Sequence, residues 1–326
     1  MFDKKKVGIL LPTRSLVMQY DQPKDIDEII RMARIVEQIG LDSVWVGDSL
    51  TAKPRLEPLT TLSVLSAHTS RVRLGTAVML AALRHPIPLA QAATTLDLIS
   101  KGRLILGMGV GGAFNEIQRQ EWRNVGIDPS HRARRFEELL KIFKSLTKGE
   151  SVTFEGDHFS LENVSINPTS VQKNGIPVLV AAHGRMDLER QYKRVFLGDG
   201  AISISDYPEE YSLCLRKIDD LNTTDTADTT FEKVFYMTVN INDDKNQAVA
   251  NADEFIKLYY GINIWLDRWG PWGAPKDVIQ RMKSYFLIGA DTIVVRFASL
   301  QQERQLEVFE KEVLPGLDAE FDRSFS

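Results

Sequence analysis

Ser100-Lys-Gly-Arg-Leu-Ile-Leu-Gly-Met-Gly-Val-Gly-Gly112 is the stretch that decides the fold. Its apolar residues Leu104–Leu106 predict a short buried strand, and the glycines that follow let the backbone approach a ligand without a Cβ in the way. A similar unit of strand, loop and helix recurs before and after this stretch. The repetition predicts a barrel, whose active site lies at the ends of the strands.

Eight predicted strands alternate with helices along the chain, which favours an α/β fold of the (β/α)8 TIM barrel type over an open doubly wound sheet. The predicted strands are Val7–Leu11, Ser43–Gly47, Val72–Val78, Leu104–Met108, Val178–Ala181, Gly200–Ser203, Val234–Ile241 and Thr292–Arg296. The predicted helices are Asp25–Ile39, Glu57–Thr69, Pro88–Ile99, Asp128–Leu146, Met186–Phe196, Pro208–Leu221, Lys245–Tyr260, Lys276–Ile288 and Gln301–Leu314.

Two segments are longer than a barrel loop needs, residues 113–127 after strand four and 251–275 after strand seven, and both are treated as insertions. Between strands four and five, residues 151–167 contain Glu155-Gly-Asp157, a hairpin signature. No segment has the composition of a domain linker. We therefore expect residues 1–326 to form a single domain.

Composition and charge restrict the class of protein. A net charge of −4 gives no electrostatic reason to bind nucleic acid. The single cysteine, Cys214, excludes an internal disulfide, and no group of histidines or carboxylates has the spacing of a metal site. The N-terminus is unlike a signal peptide and no apolar run is long enough to cross a membrane. The expectation is a cytoplasmic enzyme without a metal.

Three groups of residues at predicted strand ends have the chemistry of a site. Gly107-Met-Gly-Val-Gly-Gly112 lacks the spacing of a dinucleotide fingerprint, so it is either a tight barrel turn or a close approach of backbone to a flat cofactor. Ala182-His-Gly-Arg185 precedes a helix and is either a phosphate site or a solvated turn. Asp48 and the nearby Glu57 are each a proton carrier or a cap for the next segment.

An ordered set of motifs runs through nearly the whole chain. In chain order they are Gly40-Leu-Asp-Ser-Val-Trp-Val-Gly-Asp48, Glu57-Pro-Leu-Thr-Thr-Leu62, Thr69-Ser-Arg-Val-Arg-Leu-Gly-Thr-Ala-Val78, Arg84-His-Pro86, Ala90-Gln-Ala-Ala-Thr-Thr-Leu-Asp-Leu-Ile-Ser100, Gly102-Arg-Leu-Ile-Leu-Gly-Met-Gly109, Val152-Thr-Phe-Glu-Gly156 and Gly273-Ala-Pro-Lys-Asp-Val-Ile279. In this order and spacing the chain resembles the bacterial luciferase-like flavin monooxygenases. That superfamily also contains reductases and dehydrogenases that use the deazaflavin coenzyme F420.

The resemblance implies a barrel with a flavin ring laid across the strand ends. The bulge after strand three that supports the ring maps to Ala77-Val78-Met79, and the glycine position of strand four maps to Met108-Gly109. The phosphate contacts after strand five map to Ala182-His183-Gly184-Arg185. The catalytic positions at the end of strand two map to Asp48 and Ser49. Members often carry a histidine where this chain has Ser49, so proton transfer comes from elsewhere, comes from Ser49 through water, or is not needed.

Three functions fit the resemblance. The leading hypothesis is a monooxygenase that uses O2 and reduced FMN supplied by a separate NAD(P)H:flavin reductase. The second is an F420-dependent oxidoreductase, and the third is a flavin-binding protein without catalysis. A small organic substrate and a homodimer are expected. Trp265, Trp269 and Trp272, together with Trp122, either wall an apolar substrate pocket or pack helices and an interface.

Overall fold

The computed structural model describes residues 6–18, 25–222, 231–263 and 266–317. Its strands are β1 Lys6–Leu10, β2 Ser43–Val46, β3 Arg73–Met79, β4 Leu104–Met108, β5 Val152–Glu155, β6 Ser160–Val164, β7 Val178–Ala181, β8 Gly200–Ile204, β9 Glu232–Ile241, β10 Trp272–Gly273 and β11 Thr292–Phe297. Eight of them run parallel in the order β1-β2-β3-β4-β7-β8-β9-β11, and β11 pairs back onto β1. The ring is closed, which confirms the predicted TIM barrel.

Helices surround the ring. They are α1 Ser15–Met18, α2 Asp27–Gln38, α3 Pro58–His68, α4 Pro86–Ile99, α5 Glu116–Asn124, α6 Arg132–Lys148, α7 Glu189–Val195, α8 Pro208–Leu221, α9 Lys245–Tyr260, α10 Pro275–Ile288 and α11 Gln302–Val308. Glu57 caps α3, since its Oε2 accepts the amide hydrogen of Thr60 at 2.7 Å. Of the two roles considered for Glu57, the structure therefore shows the cap.

Both predicted insertions are present. The one after β4 contains α5, which is capped by Asn115. The one after β9, the seventh barrel strand, contains the end of α9, a 3-10 turn over Leu266–Trp269 and the short strand β10. The predicted hairpin is β5–β6, which are antiparallel. That the whole chain, residues 1–326, forms one domain stays a prediction.

One predicted helix boundary bears on the site and is wrong. The helix expected over Met186–Phe196 begins only at Glu189. A 3-10 turn over Gly184–Met186 comes first, and Asp187 then takes a left-handed conformation with φ of 26°. The chain therefore reverses direction once more before the helix starts.

Side chains alternate along each strand between the inside of the barrel and the layer beneath the helices. The inner set is continuous and consists of Leu10, Trp45, Ala77, Ile105, Leu179, Ile202, Val234, Tyr236 and Val294. Trp45 is its largest member, and a Cβ on Gly8 or Gly75 would collide with its ring. These two glycines therefore make room for a fully buried indole, whose Nε1 donates to Ser43 Oγ at 2.8 Å.

Polar side chains close the amino-terminal end of the barrel. Arg73 at the start of β3 pairs with Asp42 at 2.7 Å and with Glu232 of β9 at 2.8 Å. Glu232 also accepts a hydrogen bond from Thr292 of β11. One arginine thus joins strands from both halves of the ring, and the opposite, carboxyl-terminal end is left for the site.

Candidate functional site

The predicted bulge lies at the carboxyl end of β3. The peptide between Ala77 and Val78 is cis, and the register with β4 shifts between Thr76 and Met79. Ala77 belongs to the inner set of the barrel, and Val78 packs against that set while staying partly exposed. The backbone feature expected from the resemblance is therefore present at the predicted residues.

Gly109 lies beside this bulge. Its amide donates to the carbonyl of Met79 at 2.9 Å, and a Cβ placed on it would lie 3.1 Å from Val78 Cγ2 and 3.4 Å from the Cβ of Ala181. Two neighbouring strands, β4 and β7, thus end in small residues beside the bulge of β3. The side chains of Met79 and Met108 instead face the helices and are fully buried, so only their backbone is available to a ligand.

Asp48, near the start of the loop after β2, forms an ion pair with Arg84. Its Oδ2 accepts from the Leu80 amide at 2.8 Å and from Arg84 Nη1 at 2.5 Å, and its Oδ1 accepts from Arg84 Nη2 at 3.0 Å. The Asp48 side chain is 1% exposed. The pair joins the loops after β2 and β3, so in this structure Asp48 holds the backbone of these two loops in place. The catalytic role expected for Asp48 stays a prediction.

Ser49 is also buried and fully engaged. Its hydroxyl donates to Glu121 Oε1 at 2.9 Å and accepts the Lys53 amide hydrogen at 3.0 Å. The same Glu121 oxygen accepts the amide hydrogens of Thr51 and Ala52 at 2.7 and 2.9 Å. Glu121, which the sequence did not single out, therefore reaches from α5 and fixes the whole loop after β2.

The predicted phosphate segment follows β7. The Gly184 amide donates to Asp206 Oδ2 at 2.7 Å, and Arg185 Nη1 donates to Asp206 Oδ1 at 2.7 Å. Burial, and then the charge of Arg185, lower the pKa of His183 to about 3, so its ring is neutral. Asp206 thus already holds two of the expected phosphate donors, and helix α7 is only seven residues long.

Four cationic side chains, to which the sequence analysis assigned no role, lie together at the carboxyl-terminal end of the barrel. They are Arg14, which follows β1, Lys53 and Arg55, which follow β2, and Arg296 on β11. We call them the basic cluster. They surround Tyr259 and Tyr260 at the end of α9: Arg14 and Arg296 lie 5.0 and 5.1 Å from the centre of the Tyr259 ring.

Of the two roles considered for the tryptophans, the structure shows packing. Trp122 is fully buried in the layer beneath the helices and donates to the Gly112 carbonyl. Trp272 packs with Trp269 against α9, and the Trp269 ring lies 4.6 Å from the guanidinium of Arg296. Trp265 lies outside the described residues. Packing is therefore shown for Trp122, Trp269 and Trp272, and one face of Trp269 also contacts the basic cluster.

A cavity of about 530 Å³ lies away from these residues, between α9 and α11. Asn242, Gln247, Glu254, Arg304 and Gln305 line it, and no predicted site residue does. Over the part of the chain that the structure describes, no group of three or more metal-ligating side chains comes together, and no helix is long and apolar enough to cross a membrane.

A closed barrel with a bulge on its third strand, small residues beside it and a loop held by Asp48 is the arrangement expected of a luciferase-like enzyme. The chain matches the model of the luciferase-like monooxygenase family over residues 5–261, and it belongs to that family. The predicted family and enzyme class, an oxidoreductase, are confirmed.

Two curated relatives carry the same name in different organisms. The chain is 28% identical over 325 residues to an F420-dependent glucose-6-phosphate dehydrogenase of Amycolatopsis mediterranei (strain U-32), which covers 90% of this chain and 95% of the relative. It is 28% identical over 327 residues to the enzyme of that name from Rhodococcus erythropolis (strain PR4 / NBRC 100887), with 90% and 94% covered.

Solved structures share the fold. The monooxygenase RslO1 from Streptomyces bottropensis superposes with a TM-score of 0.77 at 22% identity, covering 95% of this chain and 99% of its own. An F420-dependent secondary alcohol dehydrogenase superposes with a TM-score of 0.78 at 17% identity, covering 97% and 99%. At these identities the likeness confirms the barrel and nothing finer.

Proposed function

We propose that this protein is an F420-dependent oxidoreductase that transfers hydride between the deazaflavin and a carbon of a small organic substrate. The observation that carries the proposal is the surface formed by the bulge of β3 and its small neighbours, which fits a flat ring. The curated relatives with F420 in their names, matched along most of the chain, favour F420 over FMN.

The fit of a flat ring rests on the described residues. Val78 stands partly exposed on the bulge, and Gly109 and Ala181 beside it present no side chain larger than a methyl group. The surface is apolar, because the inner set of the barrel continues directly below it. When bound there, F420 supplies two-electron hydride chemistry, and the protein supplies orientation and exclusion of water.

All the predicted cofactor contacts are part of the proposal, but they contribute in different ways. Ala77, Val78 and Gly109 face the ring, and Met79 and Met108 contribute backbone only. Ala182, His183, Gly184 and Arg185 contact the cofactor phosphate if the phosphate takes over donors now bound to Asp206. A neutral His183 adds a hydrogen bond there but no charge.

In the proposal Asp48 and Ser49 act as positioning residues for the loop after β2. The Ser49 hydroxyl hydrogen is directed at Glu121, so Ser49 moves a proton only together with that buried carboxylate. No histidine stands at this place. We therefore expect the substrate to be activated by a group other than the one that the resemblance suggested.

The test is a titration of the purified protein with F420 and with FMN, each oxidised and reduced, followed by fluorescence. F420 should bind at least about tenfold more tightly than FMN, and Gly109→Val should abolish binding without unfolding the protein, because the isopropyl group occupies the ring surface. Gly126→Ala, at an exposed glycine whose φ of 74° strains any side chain, is the control for a loss of stability away from the ring surface. Equal or tighter FMN binding would contradict the proposal.

A second candidate function is that of a flavin-dependent monooxygenase, which the family and the similarity to RslO1 favour. It requires reduced FMN from a separate NAD(P)H:flavin reductase and predicts oxygen uptake that depends on that reductase. Binding without turnover in either assay would leave a non-catalytic flavin-binding protein. The homodimer and the cytoplasmic location remain predictions of the sequence.

A further inference from the structure

We propose that the basic cluster is a recognition site for an anionic group of the substrate, such as a phosphate, sulfonate or carboxylate. The inference deepens the proposed function, on which it rests, because it assigns a substrate class to the same barrel mouth. Three observations support it: Arg296 is buried, no carboxylate side chain that the structure describes pairs with the cluster, and the cluster lies next to the bulge.

Arg296 points into the barrel. It follows Thr292 and Val294 on the inward-facing side of β11, and only 3% of its surface is exposed. Its hydrogen bonds go to neutral oxygens: Nε donates to Thr238 Oγ1 at 3.1 Å and Nη1 donates to the Tyr260 hydroxyl at 2.7 Å. A buried guanidinium without a carboxylate is costly, since burial penalises the charged form.

Three further cations point at the same place. Arg14 Nε donates to the Tyr259 carbonyl at 3.1 Å and Arg55 lies 5.5 Å from the centre of the Tyr259 ring. Lys53 Nζ lies 4.4 Å from the centre of the Tyr260 ring. Each of the four cations lies near the ring of Tyr259 or Tyr260, a contact that tolerates a positive charge, but this does not explain why four charges converge on two neighbouring rings.

None of the four cluster residues forms an ion pair with a carboxylate among the described residues. Three partly buried arginines elsewhere in the fold do: Arg73, Arg84 and Arg185 each pair with at least one carboxylate. Unpaired positive charges gathered at the end of a barrel are the electrostatic complement of an anion.

The pKa of Lys53 reflects the same concentration of positive charge. Burial, followed by the charge of Arg55, lowers the pKa of Lys53 to about 8; Tyr259 opposes this shift, and Arg14 and Arg296 add smaller effects in the same direction as Arg55. Its own loop contributes Arg55, the loop after β1 contributes Arg14, β11 contributes Arg296 and α9 contributes Tyr259. An anion in their midst would raise the pKa of Lys53 again.

The cluster adjoins the ring surface without overlapping the predicted phosphate segment. A Cβ on Gly47 would collide with the guanidinium of Arg55 and would lie 3.9 Å from the carbonyl of Ala77, so Arg55 stands next to the bulge. In the ring of strands the cluster occupies β11, β1 and β2, whereas residues 182–185 lie between β7 and β8. A cofactor anchored at residues 182–185 therefore leaves the cluster to the substrate.

The space now left in the cluster is small. A cavity of about 10 Å³, enough for about one water molecule, is lined by residues that include Arg14, Tyr259 and Arg296. A phosphate is larger than this cavity, so it would enter here only with a movement of the lining side chains, Tyr259 among them. Trp269, whose ring lies 4.6 Å from the guanidinium of Arg296, then serves as a fluorescent reporter of binding.

The experiment titrates the full-length protein with inorganic phosphate, sulfate and methanesulfonate at pH 7, followed by tryptophan fluorescence and calorimetry. We expect saturable binding with a Kd of roughly 1 mM or tighter. Lys53→Gln should weaken it about tenfold, as should Arg296→Gln. Arg31→Gln, in an exposed pair with Glu303, is the control that should leave it unchanged.

Lys53 lies on a loop, so its variant keeps the test valid if Arg296→Gln fails to fold. For the wild type the affinity should fall as the pH rises from 7 to 9.5, and this fall should be missing in Lys53→Gln. Saturable binding that is absent, equal in Lys53→Gln and the wild type, or insensitive to pH would overturn the site.

F420 separates the two sources of an anion. If the cluster serves the substrate, Lys53→Gln binds F420 as tightly as the wild type does. An equal loss of F420 and phosphate affinity would assign the cluster to the cofactor and overturn our proposal. If F420 does not bind the wild type at all, the proposed function fails, while the phosphate titration still decides whether the anion site exists.

Discussion

Removing Arg84 tests how the loops around the cofactor surface are held. Arg84→Met leaves the Asp48 carboxylate, 1% exposed, with the Leu80 amide as its remaining donor among those described above. Breaking a buried pair from one side costs about 3–5 kcal/mol. Because the Arg84 side chain is itself 14% exposed, water partly replaces it, and we expect a loss of about 2–4 kcal/mol in the free energy of unfolding.

The opposite change should cost less. In Asp48→Asn the amide oxygen still accepts the Leu80 hydrogen, and Arg84 retains Glu57 at 3.5 Å, so we expect a loss of about 1–2 kcal/mol. The double variant should lose less than the sum of the two single variants, since the groups form one network.

The assay is urea unfolding followed by circular dichroism, with Arg31→Met as the control. The pair of Arg31 and Glu303 has side chains that are 56% and 36% exposed, and its loss should cost about 0–1 kcal/mol. The reasoning is refuted if Arg84→Met is no more destabilising than Arg31→Met, or if Asp48→Asn costs more than Arg84→Met.

Three further changes have definite expected outcomes. Gly109→Ala places a methyl group 3.1 Å from Val78 Cγ2, so cofactor affinity should fall about tenfold while stability changes by less than about 1 kcal/mol; an unchanged affinity would mean that the ring lies elsewhere. The Lys53 ammonium loses its proton near pH 10.5 in the unfolded chain but near pH 8 in the folded protein, whose pKa is lowered. Between these two pH values the unfolded state binds more protons. The free energy of unfolding should therefore rise with pH over that range. The rise, on the order of 1–3 kcal/mol, should be absent from Lys53→Met, and parallel pH profiles of the two proteins would contradict it. Burial, followed by Asp206, raises the pKa of the Cys214 thiol to about 12, so a disulfide reagent at pH 8 should label it only in denaturant; rapid labelling of the folded protein would show that α8 opens.

The strands of the barrel were predictable because each is a short apolar run bounded by proline, glycine or charge. Val178–Ala181 was predicted with its observed bounds, and Pro208–Leu221 shows that a proline at the first turn marks a helix start equally well. The helix after β7 was misplaced because apolar periodicity continues back to Met186, whereas the turn that delays the helix depends on Gly184.

The bulge was predictable only through the resemblance, since nothing in the residue types of Ala77 and Val78 requires it. Side-chain contacts between distant segments were not predictable from the sequence. Ser49 hydrogen-bonds to Glu121, which is 72 residues away, and Asp48 pairs with Arg84 on the loop after the next strand. A carboxylate in a sequence shows its charge but not which cation it will reach.

The basic cluster was missed for a similar reason. Its members come from three segments that meet only when β11 closes onto β1, and two of them, Lys53 and Arg55, lie on a loop without any pattern. Arg296 alone carried a signal, because alternation along β11 places it on the inner side of the barrel with Val294. An arginine at an inward-facing position departs from the apolar pattern of the strand around it.

The pairing of β1 with β11 also sets the order of events during synthesis. Lys6 lies opposite Thr292, so the first strand, which pairs with β2 on one side, lacks its second partner until nearly 290 further residues have left the ribosome. At bacterial or eukaryotic elongation rates this takes roughly 15–60 s, during which an apolar strand edge is open. The ring cannot close before β11 has been made, so chains truncated before β11 should aggregate rather than fold, and the last strand completes the whole protein.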